Sequence, residues 1–141
     1  MKNILLTILL MNLPFSGIYS QNHTYHNLSS ENFYIKINSY NNNSLLDVRT
    51  FAEYRKSRIA NSVYAGNKNE LLRITRYLDK TNPILVYCSN GERSVTVCEI
   101  LTIELNFKNV YNLKNGLHEW VYVGYKLDKS KIKRKHSINS N

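Results

Sequence analysis

The chain has 141 residues, of which 43% are hydrophobic, and carries a formal net charge of +9 at neutral pH. That length holds one domain with one hydrophobic core and no more. The balance of apolar and charged residues fits a globular protein and excludes a disordered one.

The N-terminus reads as separate from the fold. Lys2 supplies a positive charge, residues 4–13 are almost wholly apolar, Pro14 and Ser16-Gly17 break the run, and Ile18-Tyr19-Ser20 precedes Gln21. This is the pattern of a secretory signal peptide over residues 1–20, which places the mature protein in the periplasm or outside the cell. The apolar run is short for a membrane span, so an uncleaved anchor is the weaker alternative. No cysteine lies near the cleavage region, which excludes a lipoprotein anchor. Residues 21–29 are polar and read as a flexible lead-in.

Ser29-Ser30-Glu31 marks a helix start, and the Asn-rich stretch 38–44 ends that helix. A strand at 45–48, a short helix at 51–56 and a short strand at 62–64 follow. Residues 69–78 form an amphipathic helix with Leu71, Ile74, Thr75 and Leu78 on one side, closed by Asn82-Pro83. Ile84-Leu85-Val86-Tyr87 is a continuous apolar run, as expected of a central parallel strand covered on both faces. A polar loop leads from it into a helix over 94–105. There Ser94, Cys98, Leu101 and Leu105 share one face, while Glu99, Thr102 and Asn106 mark the other. A strand at 110–113 and a helix at 117–122 complete the series. Strands alternating with helices predict a single α/β domain, a central mostly parallel sheet flanked by helices on both faces. There is no internal repeat. The chain closes with a basic stretch, residues 128–141, read as a solvated tail able to make weak contact with an anionic surface. No nucleic-acid partner is expected, because no aromatic residues are interleaved with the basic ones.

Cys88 is the most informative residue. It stands at the carboxyl end of the apolar strand, where open α/β sheets place their ligands. Backbone N–H groups of the following loop and the positive end of the next helix favour a thiolate, and any anion docked on it. Gly91 suits a curled loop that needs positive φ. Arg93 braces this loop or meets the anion, the alternative being an ordinary first-turn helix residue; Ser94 is read as the helix cap. Asp47 and Arg49, at the end of the 45–48 strand, form an ion-paired scaffold. Trp120 is a core anchor and His118 a surface or capping residue. Cys98 points into the core as a buried thiol. Because export favours disulfides, a Cys88–Cys98 bridge or a resolving role for Cys98 are the alternatives. No Cys/His grouping has zinc spacing, so no metal is expected.

The segment Cys88-Ser89-Asn90-Gly91-Glu92-Arg93-Ser94 resembles the active-site loop of rhodanese-type sulfurtransferases. Leu45-Leu46-Asp47-Val48-Arg49 with Glu53-Tyr54 is similar to an earlier segment of that family. Val110-Tyr111-Asn112-Leu113, Gly116, Trp120 and Gly124 are similar to its closing segment. The likeness spans residues 30–127 in the family's order, a whole single rhodanese-like domain. It departs at Arg58 and Asn61, where the family usually has histidine and glycine. It departs also at Glu92, whose negative charge counts against thiosulfate as the preferred donor.

The resemblance implies a sulfurtransferase in which Cys88 is the nucleophile and forms a persulfide. Ser89, Asn90, Gly91, Glu92, Arg93 and Ser94 would bind the substrate. The donor would be a small anion such as thiosulfate and the acceptor a thiol or cyanide, with no cofactor and a monomeric protein. Two alternatives stand beside it. One is a rhodanese-like module that only binds a partner, although such modules typically lack the cysteine. The other is a phosphatase or arsenate reductase of the same fold, whose loop places five residues between cysteine and arginine where this chain has four.

Overall fold

A computed structural model describes residues 25–132. The expected signal peptide lies outside the described residues, as do the last basic residues, 133–141. Five parallel strands, β1 (His26–Leu28), β2 (Ser44–Asp47), β3 (Val63–Tyr64), β4 (Ile84–Tyr87) and β5 (Val110–Leu113), form one sheet in the order β1-β5-β4-β2-β3. The helices are α1 (Ser30–Ser39), α2 (Phe51–Lys56), α3 (Lys68–Thr75), α4 (Glu92–Glu99) and α5 (Gly116–Tyr122).

Strand β4 is central, and all four of its residues are buried. Its alternating side chains serve two cores. Ile84 and Val86 join Leu46, Leu71, Cys98 and Leu101 under α3 and α4. Leu85 and Tyr87 join Phe33, Leu117 and Trp120 under α1 and α5. A strand that feeds apolar groups to both faces must read as an unbroken apolar run, and this one does.

Three expectations are corrected. Residues 26–28 are not a flexible lead-in; they form edge strand β1, in register with Tyr111–Leu113 of β5. The strand is short and polar, so it carries no apolar alternation to read. It is held by its ladder, by Asn112 Nδ2 donating to Asn27 Oδ1 at 2.8 Å, and by His26 stacked on Tyr111. The helix after the cysteine loop starts at Glu92 rather than at residue 94, and its last turn, Ile100–Glu104, is π-helical. The Thr102 hydroxyl donates back to the Cys98 and Glu99 carbonyls there, competing with the regular ladder. The tail begins later than residue 128. Arg58 and Asp128 exchange backbone hydrogen bonds of 3.0 and 2.7 Å, and the Arg58 guanidinium donates to Asp128 Oδ2 and Ser130 Oγ. Arg58, the departure from the family pattern, thus fastens residues 128–130 to the domain.

The strand order locates the crevice. From β2 the chain turns outward to β3, and from β4 it turns the opposite way to β5. The loops leaving these two adjacent strands therefore diverge, and ligands settle where such loops part. Val48 N–H still donates to the Tyr87 carbonyl at 3.1 Å, so Cys88 lies beside the start of the β2–α2 loop.

Candidate active site

Backbone geometry shapes the loop around Cys88. Gly91 is the N-cap of α4 and sits at φ 91°, a left-handed conformation that side chains resist. A Cβ on Gly91 would lie 1.9 Å from the Lys114 carbonyl oxygen. On the other side Gly116, at φ 61°, faces the loop so closely that a Cβ there would lie 2.5 Å from Asn90 N and from Ser89 C and O. The first turn of α5 then clasps the loop, Leu117 N–H donating to the Cys88 carbonyl at 2.9 Å and His118 N–H to the Ser89 carbonyl at 3.0 Å. Two glycines and two hydrogen bonds interlock the β4–α4 and β5–α5 turns.

This curl aims donors at sulfur. Gly91 N–H points at Cys88 Sγ from 3.2 Å and the Ser94 hydroxyl from 3.4 Å, while Asn90 Oδ1 lies 3.8 Å away and can accept from the thiol. Burial, the largest single influence, opposes ionisation. It is outweighed by the Ser94 hydroxyl together with the backbone N–H groups of Ser94, Asn90 and Gly91, so the Cys88 pKa is lowered. Burial has the opposite outcome at Cys98, whose thiol is free, lies in the core and has its pKa raised. The surroundings favour ionisation of Cys88 and oppose it at Cys98, which agrees with the reading of Cys98 as a core residue.

Ser94 does not cap α4. It stands within the first turn, with its hydroxyl shared between Gly91 O at 3.0 Å and Cys88 Sγ. Arg93 braces the loop, its guanidinium reaching Ser89 Oγ at 2.9 Å and both carboxylate oxygens of Glu53 at 3.0 and 3.1 Å. Asn90 Oδ1 accepts from Glu92 N–H at 3.3 Å, and the Glu92 side chain is exposed. Asp47 and Arg49 form the expected buried pair, which also holds the Ser57 carbonyl at 2.6 Å. Trp120 is buried against Phe33. His118 is exposed and contributes its backbone N–H. Among the described residues no group of three or more His, Cys, Asp or Glu side chains could hold a metal ion.

Glu53 is the site residue that sequence reasoning missed. It lies in α2 and closes a capping box with Thr50, whose N–H and hydroxyl donate to Glu53 Oε2 at 2.9 and 2.7 Å. Its other oxygen accepts from Ser89 Oγ at 2.9 Å. The Arg93 guanidinium, with help from Thr50 and Ser89, holds this carboxyl far below the usual carboxylate range. The Thr50-x-x-Glu53 spacing announces the capping box, but nothing local announces Arg93, 40 positions away.

Fold and site together define a class: a parallel α/β domain with a cysteine-centred loop at the carboxyl end of its central strand. The chain belongs to the rhodanese family, the Rhodanese-like domain matching residues 30–122. It is 36% identical over 76 residues to the thiosulfate sulfurtransferase GlpE of Coxiella burnetii, an alignment that covers 54% of this chain and 69% of that protein. It is 32% identical over 84 residues to the adenylyltransferase and sulfurtransferase UBA4 of Scheffersomyces stipitis, covering 54% of this chain and 19% of that one. Among solved structures, a rhodanese-related protein from Thermoplasma volcanium superposes with a TM-score of 0.63 at 26% identity, over 75% of this chain and 100% of that one.

Proposed function

We propose that the protein is a rhodanese-type sulfurtransferase that carries sulfur as a persulfide on Cys88. The Cys88 thiolate attacks the outer sulfur of a sulfane donor such as thiosulfate. A new sulfur–sulfur bond forms, and the old one breaks with its electron pair leaving on sulfite. A thiol or cyanide then attacks the outer sulfur of the persulfide and releases the thiolate. The observation that carries this reading is the set of donors around Cys88 Sγ, the Gly91 N–H and the Ser94 hydroxyl, which favour the thiolate that attacks the donor and that is released again when the acceptor takes the sulfur. The tight loop, with four residues between Cys88 and Arg93, favours a sulfur atom over a tetrahedral oxyanion. The N-terminal apolar run supports export to the periplasm or beyond, with a mature chain starting near Gln21.

The test is the intact mass of the protein after thiosulfate and then after cyanide. One added sulfur atom that cyanide removes, and that Cys88→Ser fails to acquire, is the expected result. A protein that takes up sulfur equally well without Cys88 refutes the mechanism.

A further inference from the structure

Arg93 is the one cation in the 88–94 loop, and a loop that receives anions would ordinarily offer that charge to the substrate. Here the guanidinium is already engaged. Nη1 donates to Glu53 Oε2 at 3.1 Å, and Nη2 donates to Glu53 Oε1 at 3.0 Å and to Ser89 Oγ at 2.9 Å. Glu53 is itself fixed, because Thr50 N–H, Thr50 Oγ1 and Ser89 Oγ also donate to its carboxylate. An incoming anion must therefore compete with a pre-built pair rather than meet a free cation. The exposed Glu92 beside it adds negative charge and no compensation.

Resting on the sulfurtransferase reading, we infer that Glu53 sets the donor preference of this site. By neutralising Arg93 it selects singly charged sulfane-sulfur donors, thiosulfonates of the form RSO2S⁻ or persulfides, over dianionic thiosulfate. The chemistry is the same for both kinds of donor. With a thiosulfonate the Cys88 thiolate bonds to the outer sulfur, the old sulfur–sulfur bond breaks, and its electron pair departs on the sulfinate RSO2⁻. Only the charge that has to be brought to the loop differs, by one unit. Glu53 touches the loop and not the reacting sulfur, so it is a specificity-setting and positioning residue.

The experiment measures kcat/KM for methanethiosulfonate and for thiosulfate in the same preparation and takes their ratio, which does not depend on how much of the protein is active. Glu53→Gln keeps a side chain able to accept hydrogen bonds but frees the charge of Arg93. One unit charge several ångströms from the donor, in a partly solvated site, shifts the ratio toward thiosulfate by roughly three- to tenfold. Arg93→Gln leaves Glu53 uncompensated and shifts the ratio the other way by a similar factor. An unchanged ratio in both variants, or shifts of the same sign, overturns this inference while sulfur loading of the wild-type protein keeps the sulfurtransferase reading. Failure of both donors to load sulfur on wild-type Cys88 overturns the sulfurtransferase reading and this inference with it, whereas loading from thiosulfate in clear preference to methanethiosulfonate overturns this inference alone.

Discussion

Ser94→Ala isolates the one side-chain hydroxyl that donates to Cys88 Sγ among the described residues. The Ser94 hydroxyl reaches Cys88 Sγ at 3.4 Å and is buried, so no solvent group readily takes its place. A hydrogen bond to a charged group contributes about 1.5–3 kcal/mol. The same hydroxyl also lies 3.0 Å from the Gly91 carbonyl, and because it has one hydrogen the two acceptors share it, which puts the bond to sulfur at the low end of that range. Losing the first bond raises the Cys88 pKa and lowers the thiolate fraction at neutral pH by roughly tenfold. Thiolate absorbance followed against pH, with Cys88→Ser as the blank, reads this directly, since Cys98 titrates at higher pH. Stability provides a second reading. A thiol whose folded pKa is depressed adds stability above its unfolded pKa of about 8.5, and that stability is lost as pH falls through the folded value. The gap between wild type and Ser94→Ala should therefore be wider in alkaline buffer than in neutral buffer. Coincident titration curves, or a gap that narrows with rising pH, refute the claim that this hydroxyl supports the thiolate.

Other outcomes follow from single contacts. Cys98→Ala should retain most sulfur transfer and lose about 1 kcal/mol in urea denaturation, the cost of a small core cavity; loss of turnover at full stability would point to a resolving thiol instead. Asp47→Ala strands the buried guanidinium of Arg49 and should cost about 3–5 kcal/mol by the same assay. Gly116→Ala drives a Cβ against Ser89 and Asn90, so it should reduce sulfur loading far more than it reduces helix content by circular dichroism. N-terminal sequencing of the mature protein should begin near Gln21, and an intact Met1 would discard the cleaved signal peptide.

How much of this could be read from the chain follows from the range of the forces involved. Ile84–Tyr87 announces itself because a strand buried on both faces must be apolar throughout. Gly91 announces itself because only glycine readily takes up its backbone angle beside a carbonyl. The Asp47–Arg49 pair is legible because its partners are two residues apart. Strand β1 is not, since an edge strand needs hydrogen bonds from β5 more than it needs apolar side chains. The Arg58–Asp128 bridge and the Glu53–Arg93 pair are not either. Each joins charges far apart in sequence, and a charged residue read alone looks like solvated surface.

The pair that escaped sequence reading also explains how so short a loop around Cys88 keeps its shape. A loop with four residues between Cys88 and Arg93 has little room for contacts of its own, and its shape is held from outside. From one side α5 supplies N–H groups to the Cys88 and Ser89 carbonyls. From the other, Glu53 of α2 holds Ser89 and Arg93 together. These two supports reach Ser89 from separate elements, α5 at its carbonyl and α2 at its hydroxyl. Gly91 N–H and the Ser94 hydroxyl are thereby fixed on sulfur before any substrate arrives, and such prior placement is what lets hydrogen-bond donors stabilise developing charge without reorganising. The same arrangement commits Arg93 to Glu53. A loop braced in this way keeps its donors on Cys88 Sγ and engages its one cation, so on the proposed reading one side chain of α2 bears on both loop shape and donor choice.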